Sequence, residues 1–193
     1  MGDLVRTPLS EVTSTLEALE LHGVSQEHLK CIRNDKAYAA SVASFIVRGT
    51  VGNAYPLTVD YSKTFEQMIA AGSYDWVSSD ITSEHFPVKG TGEIELEGQL
   101  IHYGRNMSSE AVLADLDQRG LRPATMAELL AFGAKYPELQ RQFPIVELGS
   151  VWQSPDGDRD VGCLGRGGRG RGLRLGWFED DWYADCRFLA FRK

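Results

Sequence analysis

An α+β fold is what this 193-residue sequence predicts, with a short helical segment leading into one mixed domain. Three observations carry that prediction. The first 50 residues break into short capped helical runs. Beyond them, "YPLTVDY" (55–61), "GEIELEGQLIHYG" (92–104) and "DCRFLAFR" (185–192) alternate or cluster apolar residues as strands do. Interleaved with these, "SSEAVLADLDQRG" (108–120) and "ATMAELLAFG" (124–133) repeat apolar residues at helical spacing. A chain of this length supports one well-buried core and a small appendage.

The helical segment spans 1–52 and the mixed domain 53–193. Thr7-Pro8 puts proline at a first helical position, Leu16, Leu19 and Leu21 supply apolar contacts, and Gly23 stops the run. Ser25 caps a second helix through Ile32. Asp35 caps a third, "KAYAASVASFIVRG", which ends at Gly49. In the larger domain, "TFEQMIAAG" is a helix closed by Gly72. Val112, Leu113 and Leu116 share one face of the next helix, and Pro123 separates it from a helix whose capping box is Thr125 with Glu128. "FPIVELGSVW" reads as a strand from Ile145 to Trp152. The last strand carries apolar residues on both faces, Phe188 and Ala190 against Leu189 and Phe191, which predicts a central, doubly covered position.

Composition narrows the function classes. Hydrophobic residues at 42% and charged residues at 24% describe an ordinary globular chain. A net charge of -7 speaks against a phosphate-backbone partner for the whole protein, although residues 161–193 hold seven basic and four acidic side chains, a local +3. The cysteines, Cys31, Cys163 and Cys186, have neither disulfide-framework nor zinc spacing. Cys163 and Cys186 either pair across neighbouring strands or stay as buried free thiols, the latter being the expected state. "MGDLVRTPLSEV" lacks a basic-then-apolar signal segment, and no apolar run reaches the ~18 residues of a membrane span.

The stretch "GCLGRGGRGRGLRLGWFEDDW" (162–182) invites three readings. Arg/Gly tracts bind single-stranded nucleic acid when long, flexible and repeated. This one is short, and Glu179, Asp180 and Asp181 follow it and repel phosphate. Gly165, Gly167 and Gly170 match a dinucleotide-loop spacing, but a strand pattern follows where a helix would be required. By strand period, Arg171 (at the rim), Leu173, Leu175 and Trp177 share a core face, while Gly172, Arg174 and Gly176 share the other. Upstream, Leu164 and Arg166 alternate with Cys163, Gly165 and Gly167. Glycine inside a strand loses packing and backbone entropy, so stability does not ask for it there. A loop with several left-handed glycines is the plainer alternative.

From about residue 55 onward the chain resembles the variable proteins of diversity-generating retroelements, which use a C-type-lectin fold related to formylglycine-generating enzymes. The carriers are "LRPATMAELLAFG", "LGSVW", the Gly/Arg-rich stretch and the closing "CRFLAFRK". The resemblance implies a C-type-lectin-like domain whose last stretch, about 161–193, is rewritten at adenines. Asn-type codons so treated give Gly, Arg, Cys, Tyr, Ala, Asp or Ser but never Lys, Glu, Gln, Met or Trp. Cys163, Gly165, Gly167, Arg169, Gly172, Arg174, Gly176, Tyr183, Ala184 and Asp185 fall in the reachable set and form the implied ligand-binding surface. Val161, Leu164, Leu173, Leu175, Trp177, Phe178, Trp182, Phe188 and Leu189 form the implied scaffold. No acid-Pro-acid calcium motif is present, so calcium-dependent sugar binding is not implied.

The four histidines (His22, His28, His85, His102) form no metal-ligand spacing, and "FEDDW" reads as a solvated turn anchored by Trp177 and Trp182. Serines at 78–79 and 108–109 read as turn and cap residues. The expectation is therefore a binding protein and not an enzyme, with a protein ligand, no nucleic-acid partner, no membrane insertion, no metal and no cofactor. A formylglycine-generating-like thiol oxidase using Cys163 and Cys186 is the alternative, followed by nucleic-acid binding through the Arg/Gly stretch. Ligand identity and oligomeric state stay open.

Overall fold

A computed structural model describes residues 9–21, 24–40, 42, 54–168 and 170–193. The chain divides into two compact units, Met1–Val51 and Gly52–Lys193.

The first unit contains α1 (Leu9–Leu21) and α2 (Gln26–Asn34), and residues 36–40 are also helical. Ser25 caps α2, its backbone N–H donating to His28 Nδ1 at 3.0 Å, so a histidine does the work that Glu does in a capping box. The Asp35 carboxylate accepts from the N–H groups of Ala37 and Tyr38 at 2.8 and 3.0 Å, as its expected capping role requires. The Thr7-Pro8 start, the Gly23 stop and the Gly49 end lie outside the described residues.

The second unit is α+β, built on a nine-stranded mixed sheet. Its elements are β1 (Ala54–Asp60), α3 (Phe65–Gly72), β2 (Trp76–Val77), β3 (Glu93–His102), α4 (Ser109–Gln118), β4 (Leu121–Pro123), α5 (Met126–Lys135), a 3-10 turn (Leu139–Arg141), β5 (Ile145–Val146), β6 (Trp152–Gln153), β7 (Arg159–Gly167), β8 (Gly170–Trp177) and β9 (Arg187–Arg192). Strand order is β1-β3-β9-β5-β7-β8-β2, with β4 beside β9 and β6 beside β7. The β5–β9 and β2–β8 pairs are parallel and the rest antiparallel.

Local chemistry fixes the helix starts. Thr64 Oγ1 accepts from Gln67 N while Gln67 Oε1 accepts from Thr64 N, a reciprocal cap on α3. Thr125 and Glu128 cap α5 as expected, and the Glu128 carboxylate also takes both Nη groups of Arg122, at 2.9 and 2.7 Å.

Two apolar layers sandwich the sheet. One contains residues of α3 and α5 together with Leu164, Leu173, Leu189 and Phe191; the other holds Val112 and Leu116 of α4 with Val146, Val161, Phe178, Trp182, Phe188 and Ala190. Strand β9 is thus covered on both faces, as its uninterrupted apolar run predicts. Each large side chain buried there contributes ~1.5–3 kcal/mol.

The expected strand from Ile145 to Trp152 is broken in two. Glu147 is fully buried, and its carboxylate accepts from Gly149 N (3.0 Å), Ser150 N (2.8 Å) and Gly162 N (3.0 Å). These bonds fold 147–150 into a turn, because a buried carboxylate gathers donors that a straight strand would send to a neighbour.

Candidate binding surface

The β7–β8 hairpin carries most of the implied site. Its register pairs Cys163 with Arg174, Gly165 with Gly172, Val161 with Gly176 and Gly167 with Gly170. Alternation places Cys163, Gly165, Gly167, Gly172, Arg174 and Gly176 on one face, with Leu164, Leu173 and Leu175 on the other. Leu164 and Leu173 are fully buried and Leu175 half-buried, so the inward face is the one the strand period predicts.

The outward face is less open than its glycines suggest. The Arg174 guanidinium lies across Gly165, with Nη2 3.0 Å from where a β-carbon would stand. Parallel pairing sets Trp76 of β2 beside Gly172, and its ring comes within 3.8 Å of the corresponding point. Gly165 and Gly172 are consequently buried under long side chains, while Gly167 is exposed with nothing within 4 Å of its β-carbon position. Arg174 is exposed, and Trp76, at 58% exposure, is a surface aromatic that the sequence pattern did not single out.

Cys163 belongs to the core and not to the surface. It is buried, in the same apolar layer as Cys186, and both are free thiols. Burial pushes the Cys163 thiol up, with the Arg174 guanidinium pulling the other way. Burial first, and the neighbouring Cys163 and Asp185 next, push Cys186 up to about 11. Neither thiol is a ready nucleophile near neutral pH.

Gly176 is also scaffold. The Trp182 indole lies against it, with a ring carbon 2.7 Å from the β-carbon position, and Trp182 Nε1 donates to the buried Ser109 Oγ at 2.8 Å. Backbone bonds between Met107 and Trp182 hold that residue from its other side. Trp177, expected as an anchor, is 57% exposed, so Trp182 and the buried Phe178 fasten this turn. Past it, Tyr183 is 75% exposed, Asp185 is exposed and Ala184 half-buried. The Ala184 carbonyl accepts from His102 Nε2 at 2.9 Å, which ties the turn to β3. Arg169 lies outside the described residues.

Arg171, expected at a rim, is instead enclosed at 6% exposure. Its Nη1 donates to Gly72 O at 2.7 Å, Nη2 to Gly133 O at 2.8 Å, and Nε and Nη2 to Gln140 Oε1. The guanidinium carbon sits 5.1 Å from the centre of the Tyr74 ring. Gln140, itself buried, donates through Nε2 to Gly165 O (3.0 Å) and Gly172 O (3.1 Å). From above, Asp75 Oδ2 accepts from Arg171 N at 2.6 Å. The hairpin is therefore fastened to α3 and α5 through the Arg171 side chain, and to the 3-10 turn and Asp75 through bonds to its main chain.

A separate cavity of about 260 Å³ lies at the start of α5, lined in part by Tyr61, His85, Lys89 and Ser150. Two of its polar groups are committed to the fold: Ser150 Oγ accepts from Met126 N, and His85 Nδ1 donates to Asp80 O. Among the described residues there is no group of three or more His, Cys, Asp or Glu placed to hold a metal, and no helix long and apolar enough to cross a membrane.

No protein-family model, curated protein or solved structure matched this chain.

Proposed function

We propose that this chain is a ligand-binding, receptor-like protein that presents a variable surface on a C-type-lectin-like scaffold, as in the variable proteins of diversity-generating retroelements. The observation that carries the reading is the division among its hairpin glycines. Gly165, Gly167 and Gly172 meet only a flexible side-chain end, nothing, or ordinary contacts at 3.7 Å and beyond, so packing does not require them. Gly162, Gly170 and Gly176 each have neighbours within 2.7 Å of the β-carbon position. A surface whose identity is free while its backbone is held from below suits a recognition role.

Within this reading Arg174 supplies charge-assisted hydrogen bonds, Tyr183 and Trp76 aromatic contact, and Asp185 an acceptor, to a protein ligand. Cys163 and Gly176 belong to the framework. The raised thiols favour binding over a thiol-dependent reaction. The test is genomic: a near-copy of the coding sequence for 161–193, differing at adenines and lying beside a reverse-transcriptase gene, is the expected finding. A locus with neither the copy nor the reverse transcriptase removes the retroelement reading.

A further inference from the structure

We propose that the row Trp152, Asp160, Trp177 binds a guanidinium group, the cation of an arginine side chain. The three residues are directly opposed across β6, β7 and β8, so their side chains leave the same face of the sheet. Phe178 N donates to Arg159 O at 2.8 Å, which makes the next pair, Asp160 with Trp177, a non-hydrogen-bonded one, the kind whose side chains approach most closely. Alternation puts this row on the side of Leu164, Leu173 and Leu175, opposite Gly172 and Arg174. The site is thus separate from the surface proposed above, and the inference does not depend on that function. Trp152 is half-buried with His85 stacked on it at 4.1 Å, while the Trp177 indole is 57% exposed and leaves much of its ring to solvent.

What Asp160 lacks points to the charge of the ligand. It is only 7% exposed, yet among the described residues its carboxylate has neither a hydrogen bond nor an ion pair. Tyr74 Oη is the one side-chain polar atom among the described residues that is sealed in without a partner, so the Asp160 oxygens keep an opening to solvent. Burial first, then the charges of Asp158, Glu179 and Asp80, hold this carboxyl above its usual range. The adjacent cation, Arg159, lies over the Phe178 ring and is shared by Glu110 and Glu179, so it does not answer Asp160. Folding alone gains nothing from a buried, unpartnered carboxylate among other acids. A guanidinium supplies what is missing: two parallel donors for the carboxylate, a flat face to lie on the Trp177 indole, and a weakly hydrated charge that leaves water easily. Among the described residues the acids do not converge closely enough to cage a metal ion, which favours an organic cation.

The test is an NMR titration of the isotope-labelled full chain with Nα-acetyl-arginine amide. The indole N–H signals of Trp152 and Trp177 are expected to shift saturably, while those of Trp76 and Trp182, on the opposite face, stay in place. Nα-acetyl-citrulline amide, nearly the same shape without the charge, is expected to shift neither. Free arginine, titrated in parallel, separates the sources: tighter binding of the capped form assigns an arginine within a polypeptide, and tighter binding of the free amino acid assigns a small molecule. Asp160→Asn is expected to weaken binding on the order of ten- to hundredfold while keeping or raising the urea midpoint, a split that a carboxylate with a structural role alone would not give. Trp177→Leu, which removes an exposed ring, is expected to weaken binding about tenfold and decides the matter should Asp160→Asn fail to fold. No saturable shift at Trp152 and Trp177, equal binding of the citrulline compound, or undiminished binding by folded Asp160→Asn or Trp177→Leu overturns the proposal.

Discussion

The indole of Trp182 occupies the space that a side chain at Gly176 would need, one ring carbon standing 2.7 Å from the β-carbon position. The ring cannot slide away, because its Nε1 is bonded to Ser109 Oγ and its backbone to Met107. Two residues separated by a tight acidic turn thus act as one packing unit.

Gly176→Ala is accordingly expected to destabilise the protein by ~1–3 kcal/mol, the usual range for overpacking a filled core. Gly167→Ala, at an open position, and Gly172→Ala, at a buried one whose β-carbon would meet only ordinary contacts at 3.7 Å and beyond, are expected to be neutral or to stabilise by up to ~1 kcal/mol through the unfolded chain. Urea unfolding of the three variants checks the ordering; equal losses would show that the β7–β8 glycines are all packing residues.

Gln140 is the joint between the Arg171 cage and the hairpin. Gln140→Leu removes a donor from the Gly165 and Gly172 carbonyls, which keep each other as ladder partners, and removes the acceptor of Arg171 Nε, and a loss of ~1–3 kcal/mol is expected. Arg171→Lys should also destabilise, since a single ammonium cannot reach Gly72 O, Gly133 O and Gln140 Oε1 together. Denaturant midpoints measure both. A midpoint unchanged in either variant would contradict the geometry of the cage.

Burial pushes the Glu147 carboxyl from 4.5 up to about 8, against the pull of the three backbone N–H groups that it accepts from. The folded state therefore holds this proton more tightly than the unfolded chain does. The stabilising contribution is full below about pH 4.5 and is lost as pH rises toward 8. Unfolding free energies across that window should decline with pH by a component absent from Glu147→Gln. The variant is also less stable overall, because an amide nitrogen faces donors where a carboxyl oxygen stood.

Much of the fold was legible because its signals are local. Thr64, Thr125 and Asp35 cap helices with side chains that reach only two or three residues, and such spacings are written directly in the chain. The doubly apolar run of β9 likewise announces a central strand. Features set by distant neighbours were not legible. A buried carboxylate at Glu147 looks, in an alternating pattern, like an outward polar residue, so the break between β5 and β6 was hidden. Arg171 reads as a rim charge because its acceptors come from Gly72, Gly133 and Gln140, far along the chain.

The candidate site was legible in its faces and not in its coverings. Period two sorted Leu173 from Arg174 correctly, but Cys163, Gly165 and Gly172 are covered by Arg174, Trp76 and the packing around β5 and β9, which depend on strand order. Trp177 and Trp182 look alike in "WFEDDW". Only the position of α4 determines that one is exposed and the other buried.

Gln140 grips the hairpin by carbonyl oxygens, and every amino acid carries one. The clamp is blind to which side chains stand at 165 and 172, so mutation there can proceed without loosening the frame beneath. Anchorage and identity are in this way inherited separately, the first in Gln140 and Arg171, the second in the outward residues of β7 and β8.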